Sequence, residues 1–405
     1  MMDFRAGWVC PISQPPMRDG WFRVENGRIT AVGAPGSAAP SGARDLGQVA
    51  VLPALVNAHT HLELSWLRGR VPPAAEFVDW IKQLILARGA GMERADDPAI
   101  LDAAAAALRE ARAFGTIAVG DISNSLASVP AIAEAGLEGL VFHELLGFKE
   151  LDGRRVAETR ALREAASGRG NSHVRVSVCP HAPYSTSPEL FRAVRAEVDA
   201  SPVPITSVHL GESTGEVAFL RDGSGPWPGM LRFVGAMRDD WRPPALDPVS
   251  YLDSLGVLDR RTLVVHGVQF DDAALARLTE IGCTLVTCPR SNQWVGVGVP
   301  PVARFYASGI RLAIGTDSLA SVEDLNLFAE LKTMRWLAPA VPARRLLESA
   351  TRAGAEALGL NDTLGSIEPG KRAALIAVEL AGPLDDVEEY LVSGIDQRQI
   401  QWIRA

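Results

Sequence analysis

His59-Thr60-His61 is the strongest local signal for chemistry in this chain. Residues i and i+2 on a β-strand point to one face, so both imidazoles can aim at a single point. Neutral imidazole is a good ligand for Zn²⁺ or Fe²⁺, with metal–nitrogen distances of about 2.0–2.1 Å for zinc. Alone, such a pair is a weak sign. It gains weight from His209, His266 and Asp317, each of which closes a later apolar run. Glu212 stands three residues after His209, where a strand gives way to a loop, and can shuttle a proton beside a metal. Asp317, in Gly315-Thr316-Asp317-Ser318, can ligate a metal weakly and accept the proton of bound water. The plainer alternatives are a solvated loop carboxylate for Glu212 and a turn aspartate bonded to its own backbone for Asp317. His143 sits inside an apolar run and reads as a core histidine; His173 lies in a polar turn and reads as solvent-facing.

These residues need elements to position them. Eight apolar runs alternate with Ala/Leu/Arg/Glu-rich helical stretches such as 100–114 and 188–199. The runs cover 55–61, 116–122, 139–145, 174–179, 205–210, 262–268, 284–288 and 310–316. Strand–helix alternation implies a parallel sheet, and eight units suggest an α/β fold of the (β/α)₈ TIM-barrel type. In such barrels the active site lies at the C-terminal ends of the strands. His59 and His61 fall at the end of the first run, His209 of the fifth, His266 of the sixth and Asp317 of the eighth, with His181 two residues past the fourth. The chain ends differ. Runs 21–24 and 28–32 flank Glu25-Asn26-Gly27, a hairpin signal. An apolar strand is expected over 373–378, so both ends are expected to share one small β domain. The segment 221–248, rich in Gly, Pro and Trp, reads as a long irregular loop of the lid or binding kind.

Composition narrows the class. Over 405 residues, 47% are apolar and 22% charged, which excludes disorder. The net charge of −8, from 40 Lys+Arg and 48 Asp+Glu, supplies no basic surplus to displace counterions and argues against nucleic acid as a partner. No basic leader followed by an apolar run and no 18-residue apolar stretch is seen, so no membrane association and a cytoplasmic location are expected. The four cysteines form no Cys-x-x-Cys pair and read as buried thiols.

Taken in order, six segments resemble the amidohydrolase superfamily, in its branch of mononuclear deaminases and chlorohydrolases that includes methylthioadenosine/S-adenosylhomocysteine deaminases. They are Pro53-Ala54-Leu55-Val56-Asn57-Ala58-His59-Thr60-His61, Pro180-His181-Ala182-Pro183-Tyr184-Ser185, His209-Leu210-Gly211-Glu212-Ser213, Val265-His266-Gly267, Cys288-Pro289-Arg290-Ser291-Asn292 and Gly315-Thr316-Asp317-Ser318-Leu319-Ala320-Ser321. Leu364-Gly365-Ser366-Ile367-Glu368-Pro369-Gly370-Lys371 fits too; Ala374 departs from the usual Asp. The resemblance implies a distorted (β/α)₈ barrel over 53–362 and a small β-sandwich built from 1–52 and 363–405. His61-Leu62-Glu63-Leu64-Ser65, Arg290 and the Trp-containing segment after the fifth strand look like aminodeoxyfutalosine deaminases of the menaquinone route.

Binuclear relatives bridge two metals with a lysine at the end of the fourth strand. No lysine lies between Lys149 and Lys332 here. The resemblance therefore implies one divalent metal, Zn²⁺ or alternatively Fe²⁺, held by His59, His61, His209 and Asp317, with His266 beside the activated water rather than on the metal. It further implies that Asp317 takes the water proton and that Glu212 protonates a ring nitrogen and then helps ammonia leave. His181 resembles a purine contact. Arg290 can receive a substrate carboxylate in a bidentate pair, or make a structural ion pair instead. Asn292 and Ser318 are candidates to order the site. Trp66, Phe77, Trp80, Trp227 and Trp294 are candidate stacking surfaces. The implied activity is hydrolytic deamination of an adenine-type nucleoside, aminodeoxyfutalosine or a methylthioadenosine/S-adenosylhomocysteine-like compound, by a protein compatible with a homodimer. The alternatives are a hydrolase of guanine, a triazine, a chlorinated heterocycle or a cyclic amide, and a non-catalytic protein that has kept the barrel.

Overall fold

The computed structural model describes residues 1–89 and 96–404. The chain divides into two compact units, one of Met1–Ala58, Glu110–Ala118 and Asn326–Ala405, the other of His59–Arg109 and Val119–Leu325. All eight apolar runs contain strands: β1 (Leu55–Thr60), β2 (Thr116–Ser123), β3 (Glu138–Leu145), β4 (Val174–Pro180), β5 (Thr206–Leu210), β6 (Thr262–His266), β7 (Thr284–Thr287) and β8 (Arg311–Ile314). They form two four-stranded sheets, β1 to β4 and β5 to β8, each in sequence order. The pairs β3–β4, β5–β6, β6–β7 and β7–β8 are parallel. Every residue of β1, β2, β3, β5, β6 and β7 is buried. That is why these strands read as continuous apolar runs and not as alternating ones: both faces are covered.

The helices follow local rules. Helix Pro188–Ala200 starts with Ser187 accepting a hydrogen bond from the Leu190 amide, has proline in its first turn, and buries Leu190, Phe191, Val194 and Val198. Two expectations need adjusting. The sixth run was expected to stay extended to Val268, but β6 ends at His266, whose φ of 77° turns the chain. The segment 221–248 is not one irregular loop, because a helix runs over Trp227–Phe233, started by proline in its first turn. Trp227 is buried and stacks on Tyr184 with ring centroids 3.6 Å apart.

The other unit holds two further sheets. In one, Trp21–Glu25 pairs antiparallel with Arg28–Val32. Asn26 and Gly27 both have positive φ (49° and 72°), as the Asn-Gly turn requires. In the other, Leu375–Glu379 pairs antiparallel with Val49–Pro53, so strands from both halves of the sequence share a sheet. Phe4 and Phe22 stack at 5.2 Å inside a core that includes Val51, Ile367 and Leu375. All four cysteines are buried and free. Among the described residues no helix is long and apolar enough to cross a membrane.

Gly315 ends β8 against β1: a Cβ there would stand 2.6 Å from the His59 carbonyl oxygen. Gly315→Ala must therefore push the two strand ends apart. It is expected to destabilise the chain by about 1–3 kcal/mol and to lower metal retention; chemical denaturation with metal analysis checks this, and a wild-type result on both would show that the contact relaxes freely.

Candidate active site

The site is assembled where the strands end. The amides of Thr316 and Asp317 both donate to the His59 carbonyl at 3.1 Å, and Thr60 Oγ1 donates to the Asp317 carbonyl at 3.0 Å. At the junction of β4 with β5, the His209 amide donates to the His181 carbonyl at 2.9 Å. These bonds bring His59, His61, His209 and Asp317 together. His61 Nε2 and His209 Nε2 lie 3.4 Å apart. Asp317 Oδ1 is 3.4 Å from His61 Nε2 and 3.7 Å from His59 Nε2. A tetrahedron with metal–nitrogen distances near 2.1 Å has edges of about 3.4 Å. Both ring nitrogens of His59 are buried with no hydrogen-bond partner. Such atoms are costly to leave unpaired, and a cation at the convergence point would satisfy one of them. The donor set therefore fits a divalent metal.

Electrostatics separate the two carboxylates. Burial pushes Glu212 well above the usual carboxylate range, helped by the charges of Asp317 and Glu216. Burial also acts to raise Asp317, but the imidazoles of His59, His61 and His266 around it hold it well below that range. Burial lowers His61 and His266 far below an ordinary imidazole, His209 to about 3 and His181 to about 4. The imidazoles are thus neutral near pH 7, as ligation requires. His266 Nε2 lies 3.6 Å from Glu212 Oε1. Its Nδ1 receives the Asn292 Nδ2 amide at 3.0 Å, which leaves the ring proton on Nε2. Ser291 Oγ donates to Asp317 Oδ2 at 2.6 Å.

A sequence profile described as "Amidohydrolase family" matches residues 50–398. The chain belongs to the amidohydrolase family. It is 31% identical over 401 residues to a 5-methylthioadenosine/S-adenosylhomocysteine deaminase of Moorella thermoacetica, covering 95% of this chain and 88% of that one. It is also 31% identical over 328 residues to an aminodeoxyfutalosine deaminase of Deinococcus radiodurans, covering 79% and 76%. Among solved structures it is similar to an adenosine deaminase from Xanthomonas campestris with bound zinc, at a TM-score of 0.81 and 28% identity over 98% of this chain and 90% of that one.

In this amidohydrolase a cavity of about 720 Å³ opens beside the cluster. His61, His181, His209, Glu212, His266, Asp317 and Ser318 line it, with Leu64, Phe77, Trp80 and Leu84 as apolar wall. The expected residues are not all gathered there. Asn292 acts from behind His266. Arg290 does not line the cavity and instead pairs with Asp324 at 2.7 Å. Trp66 also stands off it, with the Arg70 guanidinium over its ring at 5.2 Å, and Trp294 donates from Nε1 to the Val71 carbonyl. Among the described residues, the arginines on the cavity are Arg88 and Arg155. His143, read as a core residue, is buried but lines the cavity.

Sequence reading passed over a set of supporting carboxylates. Asp121 accepts from the amide of Leu62, next to His61, at 2.7 Å and from Ser128 Oγ. Glu63 accepts from the amides of Asn124 and Ser125 and from the hydroxyls of Ser123 and Ser125. Glu144 accepts from Asn124 Nδ2 at 3.0 Å and stands 3.6 Å from His209 Nδ1. Their signal was available: each is a carboxylate inside or beside an apolar run, where an unpaired charge would not be tolerated.

Ser291→Ala removes the donor to Asp317 Oδ2. Loss of such an outer partner is expected to weaken metal affinity or activity about 10–100-fold. Titration against a competing chelator and initial-rate assays read this out; unchanged values in both would show that the bond is idle.

Proposed function

We propose that this chain is a metal-dependent hydrolytic deaminase that releases ammonia from an adenine-type nucleoside. The observation that carries the reading is the close approach of His59, His61 and Asp317, with His209 3.4 Å from His61, beside a buried Glu212 that lines one cavity with His61, His209 and Asp317. The fold reading is a closed eight-stranded barrel over 53–362, supported by the bonds at both sheet junctions, with a β-sandwich of 1–52 and 363–405, supported by the mixed-terminus sheet. We assign one divalent metal to His59, His61, His209 and Asp317, Zn²⁺ in the first place; the zinc-bound relative supports that choice. When bound, the metal supplies a Lewis acid that makes hydroxide available from water near neutral pH.

The protein's own groups supply the remaining steps. Glu212 hands its proton to a ring nitrogen next to the carbon that bears the amino group, which makes that carbon electrophilic. The Asp317 carboxylate takes the proton of the attacking water. The His266 Nε2 proton, set by Asn292, points to the oxygen that is becoming bonded to carbon and steadies its charge. The amine receives the proton that Asp317 took and leaves as ammonia; the ring carbon keeps the oxygen, whose remaining proton returns to Glu212 as the C=O forms. The net change adds one water and loses one ammonia.

The cavity volume falls in the range of about 300–1,000 Å³ common for small-molecule sites. Its apolar wall of Phe77, Trp80 and Leu84 suits a purine nucleoside with an apolar or aromatic 5′ group. A substrate carboxylate would be met by Arg88 or Arg155 rather than by Arg290. Aminodeoxyfutalosine and methylthioadenosine/S-adenosylhomocysteine-like compounds are the leading candidates, in keeping with the names of the relatives.

An ammonia-release screen over adenosine, methylthioadenosine, S-adenosylhomocysteine, aminodeoxyfutalosine and guanine tests the reading. Turnover of guanine alone, or of none, would sink it. Because Glu212 must be protonated to act and its folded pKa is raised, activity is expected to be full below that raised pKa as far as this group is concerned. It is expected to fall as pH rises through that pKa. Glu212→Gln should retain metal while kcat drops about 10²–10⁴-fold and the alkaline limb disappears; metal analysis and a kcat–pH profile would show otherwise if another group is the acid.

A further inference from the structure

The turn after β5 carries Glu212, and a second carboxylate grips that turn. Glu216 is completely buried (0% exposed). It spends its two oxygens on the main chain: Oε1 accepts from the Gly211 amide at 3.0 Å and Oε2 from the Glu212 amide at 3.1 Å. The turn is tight by construction. Gly211 has φ of 61°, and a Cβ there would lie 2.2 Å from the Phe270 ring. On the other side, Gln269 donates to the Glu212 carbonyl at 3.4 Å and to the Val297 carbonyl at 3.0 Å.

Ser213 caps the helix Thr214–Asp222 by accepting from the Glu216 amide. Ser213-Thr214-Gly215-Glu216 thus has the spacing of a capping box, in which the glutamate normally reaches back to the amide of the capping residue. Here it reaches one and two residues further. Helix capping alone does not call for that, and a carboxylate is costly to bury unless its oxygens are hydrogen-bonded. What the longer reach secures is the backbone beneath Glu212.

We propose that Glu216 is a positioning residue, which fixes the reach of Glu212 toward the reacting atoms. The inference rests on Glu212 being the proton-transfer group of the preceding section. Glu216 makes no contribution to the cavity lining, so its effect has to pass through Glu212.

The test is a double-mutant cycle on the metal-loaded full chain. Glu216→Gln keeps the shape but leaves one acceptor oxygen for two amides. It is expected to lower kcat about 10–100-fold, as a small misplacement of a catalytic group does, with KM within about threefold and metal content and Tm at wild-type values. In a Glu212→Gln background the same substitution is expected to cost less than about threefold, because nothing remains to be positioned. Should Glu216→Gln fail to fold, Glu216→Asp, which keeps the charge but cannot span both amides, is carried through the same cycle. Equal losses in both backgrounds, wild-type kcat, or a loss that follows metal content or Tm would overturn the proposal. The cycle is run on whichever compound of the ammonia-release screen turns over. Turnover of guanine alone would overturn the adenine-nucleoside reading while leaving this one to be decided by the cycle; turnover of none would overturn both.

Discussion

Buried imidazole lone pairs aimed at one another are the constraint on which this molecule depends. His59 sits with both nitrogens unpartnered, and His61 and His209 face each other at 3.4 Å. Burial disfavours protonating His61 or His209. What remains is a shared cation, and the arrangement makes sense only around one. The same dryness sorts the carboxylates: Asp317, among imidazoles, stays ionised, while Glu212, facing other acids, keeps its proton. One environment thus favours an ionised carboxylate and a protonated one on the same cavity.

Holding such a cluster takes more than strands. His266 and Asp317 both have left-handed backbone (φ 77° and 62°), at a cost of about 1–3 kcal/mol for each non-glycine residue so placed. The turns after the strands also expose amides that no sheet can use. Asp121, Glu63 and Glu216 take up those amides at the ends of β1, β2 and β5. The carboxylates that do no chemistry are therefore part of how the chemistry is aimed.

Much of this was legible in sequence because the parallel strands are buried on both faces. A run such as 55–61 announces itself as apolar and ends on His59 and His61. The metal-type residues were found by asking which side chains close each run. Other features were harder to read. Arg290 had the chemistry to hold a carboxylate, but its neighbour Asp324 is 34 residues away and invisible to local spacing. Trp66 follows the His-x-His pair closely, yet the 3₁₀ turn Leu62–Leu67 carries it off the cavity. The helix Trp227–Phe233 was hidden by glycines and prolines that read as loop. Glu216 drew no reading from the sequence, because nothing local shows how far a glutamate will reach.

The cavity's two walls come from different kinds of element. Reactive groups stand at strand ends, in positions where strained backbone and buried partners tolerate little change. Phe77, Trp80, Leu84 and Arg88 stand on the helix Phe77–Arg88, and Leu162 on the helix Arg160–Arg169, away from that machinery. Substitutions on those helices alter the shape and charge of the space offered to a ligand without changing the residues at the strand ends. The walls that shape the cavity and the residues gathered at the strand ends are thus encoded in separate stretches of the chain.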